Sequence, residues 1–229
     1  IKIFSLLNGI FAIAIWDNKN NELILVRDQL GIKPLYYGIK NNNLFFSSEL
    51  KTFTNNNIFN DANLIAISQS LLSGYVFCPN TSLKNVHQLK PGELFIINNN
   101  LEIKKINFKN IKYENRNNLK VENIEEYVFE NLKQAVKRQS VSDVPIGLLL
   151  SSGIDSMSIL SCLKELGNIN NLKTFTAYYP NDSYSENKPV EKLAKQWGFN
   201  NSSVLITPEI VYENLDDIFY TFDNLDFIP

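Results

Sequence analysis

The chain has 229 residues, with 22 Lys and Arg against 24 Asp and Glu and a formal net charge of -2. Hydrophobic residues make up 44% and charged ones 20%, a globular balance that can bury a sizeable core and leaves room for one large or two modest domains. The near-neutral charge argues against a nucleic-acid or membrane partner found by charge, and no apolar run reaches the roughly 18 residues that read as a membrane span. No charged segment followed by an apolar one opens the chain, so no export signal is visible, and a cytoplasmic location is expected. The first residue is Ile1, and the last, Pro229, directly follows Phe227 and Ile228; both ends are expected to be internal to a longer protein.

The first part reads as strands. Residues 10–16 are continuously apolar, which predicts a strand covered on both faces, and residues 22–26 predict its hairpin partner across a turn at 17–21. Residues 35–39 and 44–47 predict a second hairpin around Asn41, Asn42 and Asn43. A short helix starts near Ser48, residues 63–72 have helical apolar spacing, and residues 93–97 and 101–106 predict a third hairpin. Asn is roughly one residue in seven, and its clusters read as turn material, because Asn tolerates positive φ and bonds its own backbone.

Residues 107–118 are polar and aperiodic, which marks a linker. Beyond it the pattern alternates. Helices are predicted over 122–139, 155–166, 188–197 and 208–222, and strands over 146–150, 173–178 and 203–206. Pro208 suits a first helical turn. Such alternation predicts a parallel sheet with helices on its faces.

Several residue types exclude chemistry. Cys78 and Cys162 are too few and too far apart for a disulfide framework or a zinc site, and Cys162 falls on the apolar face of a predicted helix, as an inert buried thiol would. His87 stands beside Leu89 and the Pro91-Gly92 turn and reads as a turn-region histidine; no G-x-S-x-G elbow accompanies it. Arg27-Asp28 precedes Gly31 and Pro34 between hairpin strands and reads as a structural turn pair, and Asn8-Gly9 as a turn opening a strand.

The informative stretch runs from Val144 to Ser156. An apolar strand leads straight into the small, hydroxyl-rich Ser151-Ser152-Gly153, and a helix starts at once. Such a bend aims free N–H groups and the positive helix end at one spot, a ready anion site to which Ser151, Ser152 and Ser156 could add hydroxyl donors. Gly153 allows close backbone approach. A carboxylate at Asp155 would repel a phosphate unless a cation such as Mg²⁺ intervened. The alternative is a plain helix cap, which favours the same Ser and Asp. Neither a Walker A nor a G-x-G-x-x-G pattern is present.

Leu150-Ser151-Ser152-Gly153-Ile154-Asp155-Ser156 resembles the S-G-G-x-D-S loop (the PP-loop) of ATP pyrophosphatases. Ser142 to Gly147 is similar to the S-D-V-P-x-G lead-in of glutamine-hydrolysing asparagine synthetases. Asn8 to Asp17 is similar to that family's N-G-M-F-A-F-A-I-W-D strand, and Arg27 to Tyr37 to its R-D-x-x-G-I-K-P-L-Y-Y stretch. Ser47 to Lys51 matches S-S-E-x-K, and Leu89 to Gly92 matches L-x-P-G. These matches run in family order from about residue 7 to about residue 198.

The resemblance implies an α+β part, the back of an αββα N-terminal-nucleophile (Ntn) hydrolase sandwich, over 1–110. An α/β parallel-sheet PP-loop part, of the adenine nucleotide alpha hydrolase type, follows over 119–229. It implies an ATP-dependent ligase that adenylates aspartate and joins it to ammonia from glutamine through β-aspartyl-AMP. Its small-molecule partners would be aspartate, glutamine and ATP, its cofactors ATP and Mg²⁺, and a homodimer is an assembly it allows. Carried over by position, Ser151, Ser152, Gly153, Asp155 and Ser156 form the pyrophosphate cradle, Asp155 helps hold Mg²⁺ through phosphate, and Leu149 lies near the adenosine. Ala177 is either a nucleotide contact or sheet core.

The match departs in places. Ser152 replaces the loop's first glycine, where a Cβ clashes if the backbone needs positive φ, and Met157 stands where a second Ser is common. Both put ATP affinity in question. The family's N-terminal Cys nucleophile and its R-G-P-D, N-G-E-x-Y-N, S-D-T-E and S-G-E-G-S-D-E-type segments do not occur in these residues, so no catalytic residue is assigned. Neither glutaminase nor complete synthetase activity is expected from them alone. Two other readings share the pattern: a relative that amidates another carboxylate such as a surface sugar acid, and a degenerate, non-catalytic relative.

Overall fold

The computed structural model describes residues 2–108, 122–169, 172–180 and 185–225. It is a mixed α/β chain that divides into two compact units, Ile1–Glu114 with Asp216–Pro229, and Asn115–Leu215. The linker expected over 107–118 falls almost wholly outside the described residues.

The first unit opens with a 3-10 turn, Lys2–Leu6, and then a hairpin of β1 (Ala12–Asp17) and β2 (Glu22–Arg27). A second hairpin pairs β3 (Tyr36–Lys40) with β4 (Asn43–Ser47); its turn residues Asn41 and Asn42 both have positive φ, the geometry that a two-residue hairpin turn demands. Helices α1 (Lys51–Asn55) and α2 (Leu64–Ser73) follow, the latter capped by the Asn63 side chain. Strands β5 (Val86–Gln88), β6 (Glu93–Ile97) and β7 (Ile103–Asn107) complete two antiparallel sheets, ordered β1-β2-β6-β7 and β4-β3-β5.

Strand alternation divides the core into layers. Leu25, Phe95 and Ile97 of the first sheet pack with Leu35, Leu89, Tyr37 and Leu44 of the second. Val26 and Leu94 point to the first sheet's other face, with Phe4. Tyr36 and Val86 pack with Phe53 of α1 behind the second sheet. Two sheets thus lie face to face with a helix behind one of them.

The second unit contains α3 (Ile124–Gln139), β8 (Gly147–Leu149), α4 (Ile154–Glu165), β9 (Lys173–Tyr178), α5 (Asn187–Trp197), β10 (Asn200–Leu205) and α6 (Pro208–Glu213). The strands form a parallel sheet ordered β10-β9-β8. Leu160 and Leu163 of α4 and Val190 and Ala194 of α5 form its core with Leu148. A further helix, α7 (Leu215–Phe222), belongs from Asp216 onward to the first unit.

Four expectations are corrected. Helices cover one face of the parallel sheet among the described residues, not both. The strand order runs in one direction, and right-handed crossovers then place α4 and α5 on the same side. Strand β1 is an edge strand with Ile15 and Trp16 exposed, not covered on both faces. His87 lies in strand β5, paired with Tyr37, not in a turn. The helix expected over 208–222 breaks at Asn214, whose side-chain amide donates to the Ile210 carbonyl at 2.7 Å and competes with the helical ladder.

Candidate functional site

Strand β8 ends at Leu149, and α4 begins at Ile154, so four residues make the bend. Hydrogen bonds within the bend set its shape. The Ser151 amide donates to Ser156 Oγ at 3.1 Å, the two hydroxyls lie 2.9 Å apart, and the Gly153 amide donates to Ser151 Oγ at 3.1 Å. Ser156 Oγ in turn donates to the Ser151 carbonyl at 3.1 Å. Ser151 and Ser156 therefore brace the loop with the hydroxyls that the sequence suggests as donors to a ligand.

That bracing leaves backbone donors open. The first helical hydrogen bond comes from the Met157 amide to the Gly153 carbonyl, and among the described residues the amides of Ser152, Ile154, Asp155 and Ser156 have no hydrogen-bond partner. Four N–H groups at the positive end of a 12-residue helix form an anion-binding arrangement. The bend is open, since Ser152, Gly153 and Asp155 are all exposed.

Ser152 does not adopt positive φ, so its Cβ meets no backbone restriction where the resembling loop carries glycine. Gly153 has φ -72°, and an added Cβ there would meet only Ser151 Oγ, at 3.1 Å. Met157 is partly buried against the α4–α5 core.

Leu149 and Ala177 share a sheet face. Leu149 pairs with Phe175, and Ala177 stands two residues further along β9. This face is the one without helices: Leu149 is 82% exposed and Ala177 is exposed, whereas Thr174 and Thr176 on the other face are buried. Among the described residues no side chain covers Ala177 on this face, and it stands exposed beside Leu149 and Phe175.

Reading the sequence missed Glu186. It stands at the N-cap of α5 and accepts a hydrogen bond from Ser152 Oγ at 3.2 Å. No local pattern links two residues so far apart; only the fold brings them together. Asp155 and Glu186 thus both border the loop, and neither is paired with a Lys or Arg among the described residues. Among the described residues no group of three His, Cys, Asp or Glu could hold a metal ion; a cation at Asp155 could share the oxygens of an anion at the amides, the usual habit of Mg²⁺.

The other singled-out residues are structural. Arg27 is 5% exposed and donates to the carbonyls of Lys33 at 2.8 Å, Leu89 at 2.6 Å and Gly31 at 2.5 Å. Asp28 accepts from the amides of Leu30, Ile32 and Lys33. Gly31 has φ +66°, and a Cβ there would come within 2.8 Å of Pro91 and 3.0 Å of Arg27, so this turn needs its glycine. Cys162 is buried, which pushes its thiol up, and Cys78 is a free, exposed thiol. No helix among the described residues is long and apolar enough to cross a membrane.

Site and fold together define an α/β chain with an open, amide-lined bend after the first strand of a parallel sheet. Residues 2–108 match the family model of a glutamine amidotransferase domain, and residues 128–229 that of asparagine synthase. The chain is 33% identical to asparagine synthetase [glutamine-hydrolyzing] 1 of Bacillus subtilis over 96% of its own length and 34% of that protein's. It is 32% identical to putative asparagine synthetase [glutamine-hydrolyzing] 2 of Methanocaldococcus jannaschii, over 74% and 33%. It is also 27% identical to amidase chyE of Penicillium rubens, over 86% and 31%. The chain spans about a third of the length of these relatives. It belongs to the glutamine-hydrolysing asparagine synthetase family.

Proposed function

We propose that the chain is part of an ATP-dependent, glutamine-hydrolysing amidotransferase that makes asparagine from aspartate through β-aspartyl-AMP. In this reading residues 1–110 belong to an Ntn-type glutaminase domain and residues 119–229 to a PP-loop synthetase domain. One observation carries it: the bend at 150–156 presents four unpartnered amides at a helix start, in a chain whose halves match the two domain families in that order.

The chemistry follows from those groups. The amides of Ser152, Ile154, Asp155 and Ser156 hold the pyrophosphate part of ATP, where negative charge grows as the adenylyl group leaves. Donors fixed beforehand need no reorganisation at that moment, and the Ser151–Ser156 bracing fixes them. Asp155 is the carboxylate that would hold Mg²⁺, which when bound neutralises phosphate charge. Leu149 and Ala177 offer an exposed apolar face for the nucleoside. Titration calorimetry of ATP with Mg²⁺ tests this: Asp155→Ala is expected to weaken binding at least about tenfold, a loss typical of a charged contact. Equal binding by both proteins, or binding by neither, overturns the reading.

A second reading has one observation in its favour, the match to a relative named an amidase and not an asparagine synthetase. There the same loop activates another carboxylate. Pyrophosphate release measured against aspartate and a panel of other acids, with the full-length enzyme, separates the two.

A further inference from the structure

We infer that Glu186 is a positioning residue for the 150–156 loop, acting through Ser152, and that its charge steepens the loop's dependence on a divalent cation. The inference rests on the nucleotide reading above.

Ser152 is the residue of the loop whose hydroxyl is engaged outside it. Its Oγ donates to Glu186 Oε1 at 3.2 Å, while the hydroxyls of Ser151 and Ser156 are engaged with each other. Glu186 does not use its carboxylate on its own helix, which has no side-chain cap. The bond spans from the β8–α4 loop to the start of α5 and so anchors the middle of an otherwise exposed bend. It engages the Ser152 side chain and leaves the Ser152 amide free.

Charge gives the second consequence. Glu186 lies one side chain away from that free amide, and no Lys or Arg neutralises it among the described residues. A bare polyphosphate at the amides meets the field of two carboxylates, Asp155 and Glu186. A polyphosphate carrying a divalent cation presents less net negative charge to them and brings a positive centre that they attract, so the penalty is smaller.

The test measures binding of ATP to the full chain by calorimetry, once with Mg²⁺ and once with EDTA, with inorganic pyrophosphate as a second probe. Three variants separate tether from charge: Glu186→Gln keeps an acceptor for Ser152 and removes the charge, Glu186→Ala removes both, and Ser152→Ala removes the hydroxyl alone. Relative to the unsubstituted chain, Glu186→Gln is expected to cut the ratio of affinities with and without Mg²⁺ by about three- to tenfold. Glu186→Ala and Ser152→Ala are expected to weaken ATP-Mg²⁺ binding by about three- to tenfold, the range of one hydrogen bond, and Glu186→Gln by clearly less than Glu186→Ala. Thermal unfolding of each variant verifies that it is folded. An unchanged Mg²⁺ ratio in Glu186→Gln, or Gln and Ala variants with equal affinity, overturns the inference while leaving the nucleotide reading in place. If the unsubstituted chain binds ATP under neither condition, the nucleotide reading falls and the inference with it.

Discussion

Arg27 Nη1 donates to the Leu89 carbonyl at 2.6 Å, across 62 residues of chain. That bond joins the end of β2 to the segment between β5 and β6, and the same guanidinium also holds the carbonyls of Lys33 and Gly31. The planar fork of Arg suits three separate acceptors, whereas Lys offers one compact ammonium. Replacing Arg27 leaves these carbonyls short of a donor in a nearly sealed place. Arg27→Met is expected to destabilise the first unit by about 3 kcal/mol, and Arg27→Lys by about half that. Denaturant unfolding followed by a probe in the first unit measures both, and a loss below about 1 kcal/mol for Arg27→Met contradicts the structural role.

Asp28 supplies a pH prediction. Burial by itself raises its pKa, but hydrogen bonds from the amides of Lys33, Ile32 and Leu30 outweigh that, and the carboxyl is held below its ordinary value. An acid whose folded pKa is depressed adds stability above its unfolded pKa and loses it as pH falls through the folded one. The contribution of Asp28 is therefore full at neutral pH, begins to fade near the ordinary carboxylate value of 3.8 and is lost as pH falls on through the lower folded value. Asp28→Asn is expected to lower stability at pH 7 and to flatten the acid limb of the stability curve. Parallel acid limbs for the two proteins would show that Asp28 is not the titrating group.

How much of this was legible in the sequence depends on the range of the interaction. Strand β9 falls on 173–178 as its β-branched and aromatic run predicts, and the Asn41-Asn42 turn follows from Asn's tolerance of positive φ. The loop after β8 could be placed because a strand, three small residues and a helix start are adjacent in sequence. Strand β5 escaped because three residues are too short for an alternation to register. The break at Asn214 escaped because the competing bond comes from a side chain inside a helical pattern. Glu186 escaped for a different reason: its partner Ser152 lies 34 residues upstream, and their meeting depends on the helix crossover. The bend and its resemblance point to Ser151 and Ser156 as ligand donors, but that their hydroxyls also lie 2.9 Å from each other is visible only in the fold.

That mutual bracing gives a prediction at the site. Ser156 Oγ accepts from the Ser151 amide and bonds the Ser151 hydroxyl and carbonyl, so its removal loosens the first half of the bend. The loop is exposed, and water replaces the lost partners at little cost to folding. Ser156→Ala is expected to weaken ATP-Mg²⁺ binding about tenfold with a melting temperature within about 2 °C of the unsubstituted chain. A large drop in melting temperature would instead make Ser156 a determinant of the fold.

The second unit carries a polar seam on its helix-covered face, and it is the place to test what holds the parallel sheet in register. Thr174 and Thr176, each 1% exposed, both donate to Asn201 Oδ1, at 2.7 and 3.1 Å. Asn201 pairs with Thr174 across β9 and β10, so one side-chain oxygen serves two buried hydroxyls on the neighbouring strand. Thr174 has a second acceptor in the Asn200 carbonyl, but for Thr176 Asn201 Oδ1 is the acceptor present among the described residues. Asn201→Ala strands the Thr176 hydroxyl, and the expected loss is about 1–3 kcal/mol, the cost of an unsatisfied buried polar group. Asn201→Ala combined with Thr176→Val removes both sides of the bond and is expected to recover much of that loss, because an apolar pair of similar shape leaves nothing unpaired. Chemical unfolding of the single and double variants measures the difference. If the double variant is less stable than Asn201→Ala alone, the seam is held by packing and not by its hydrogen bonds.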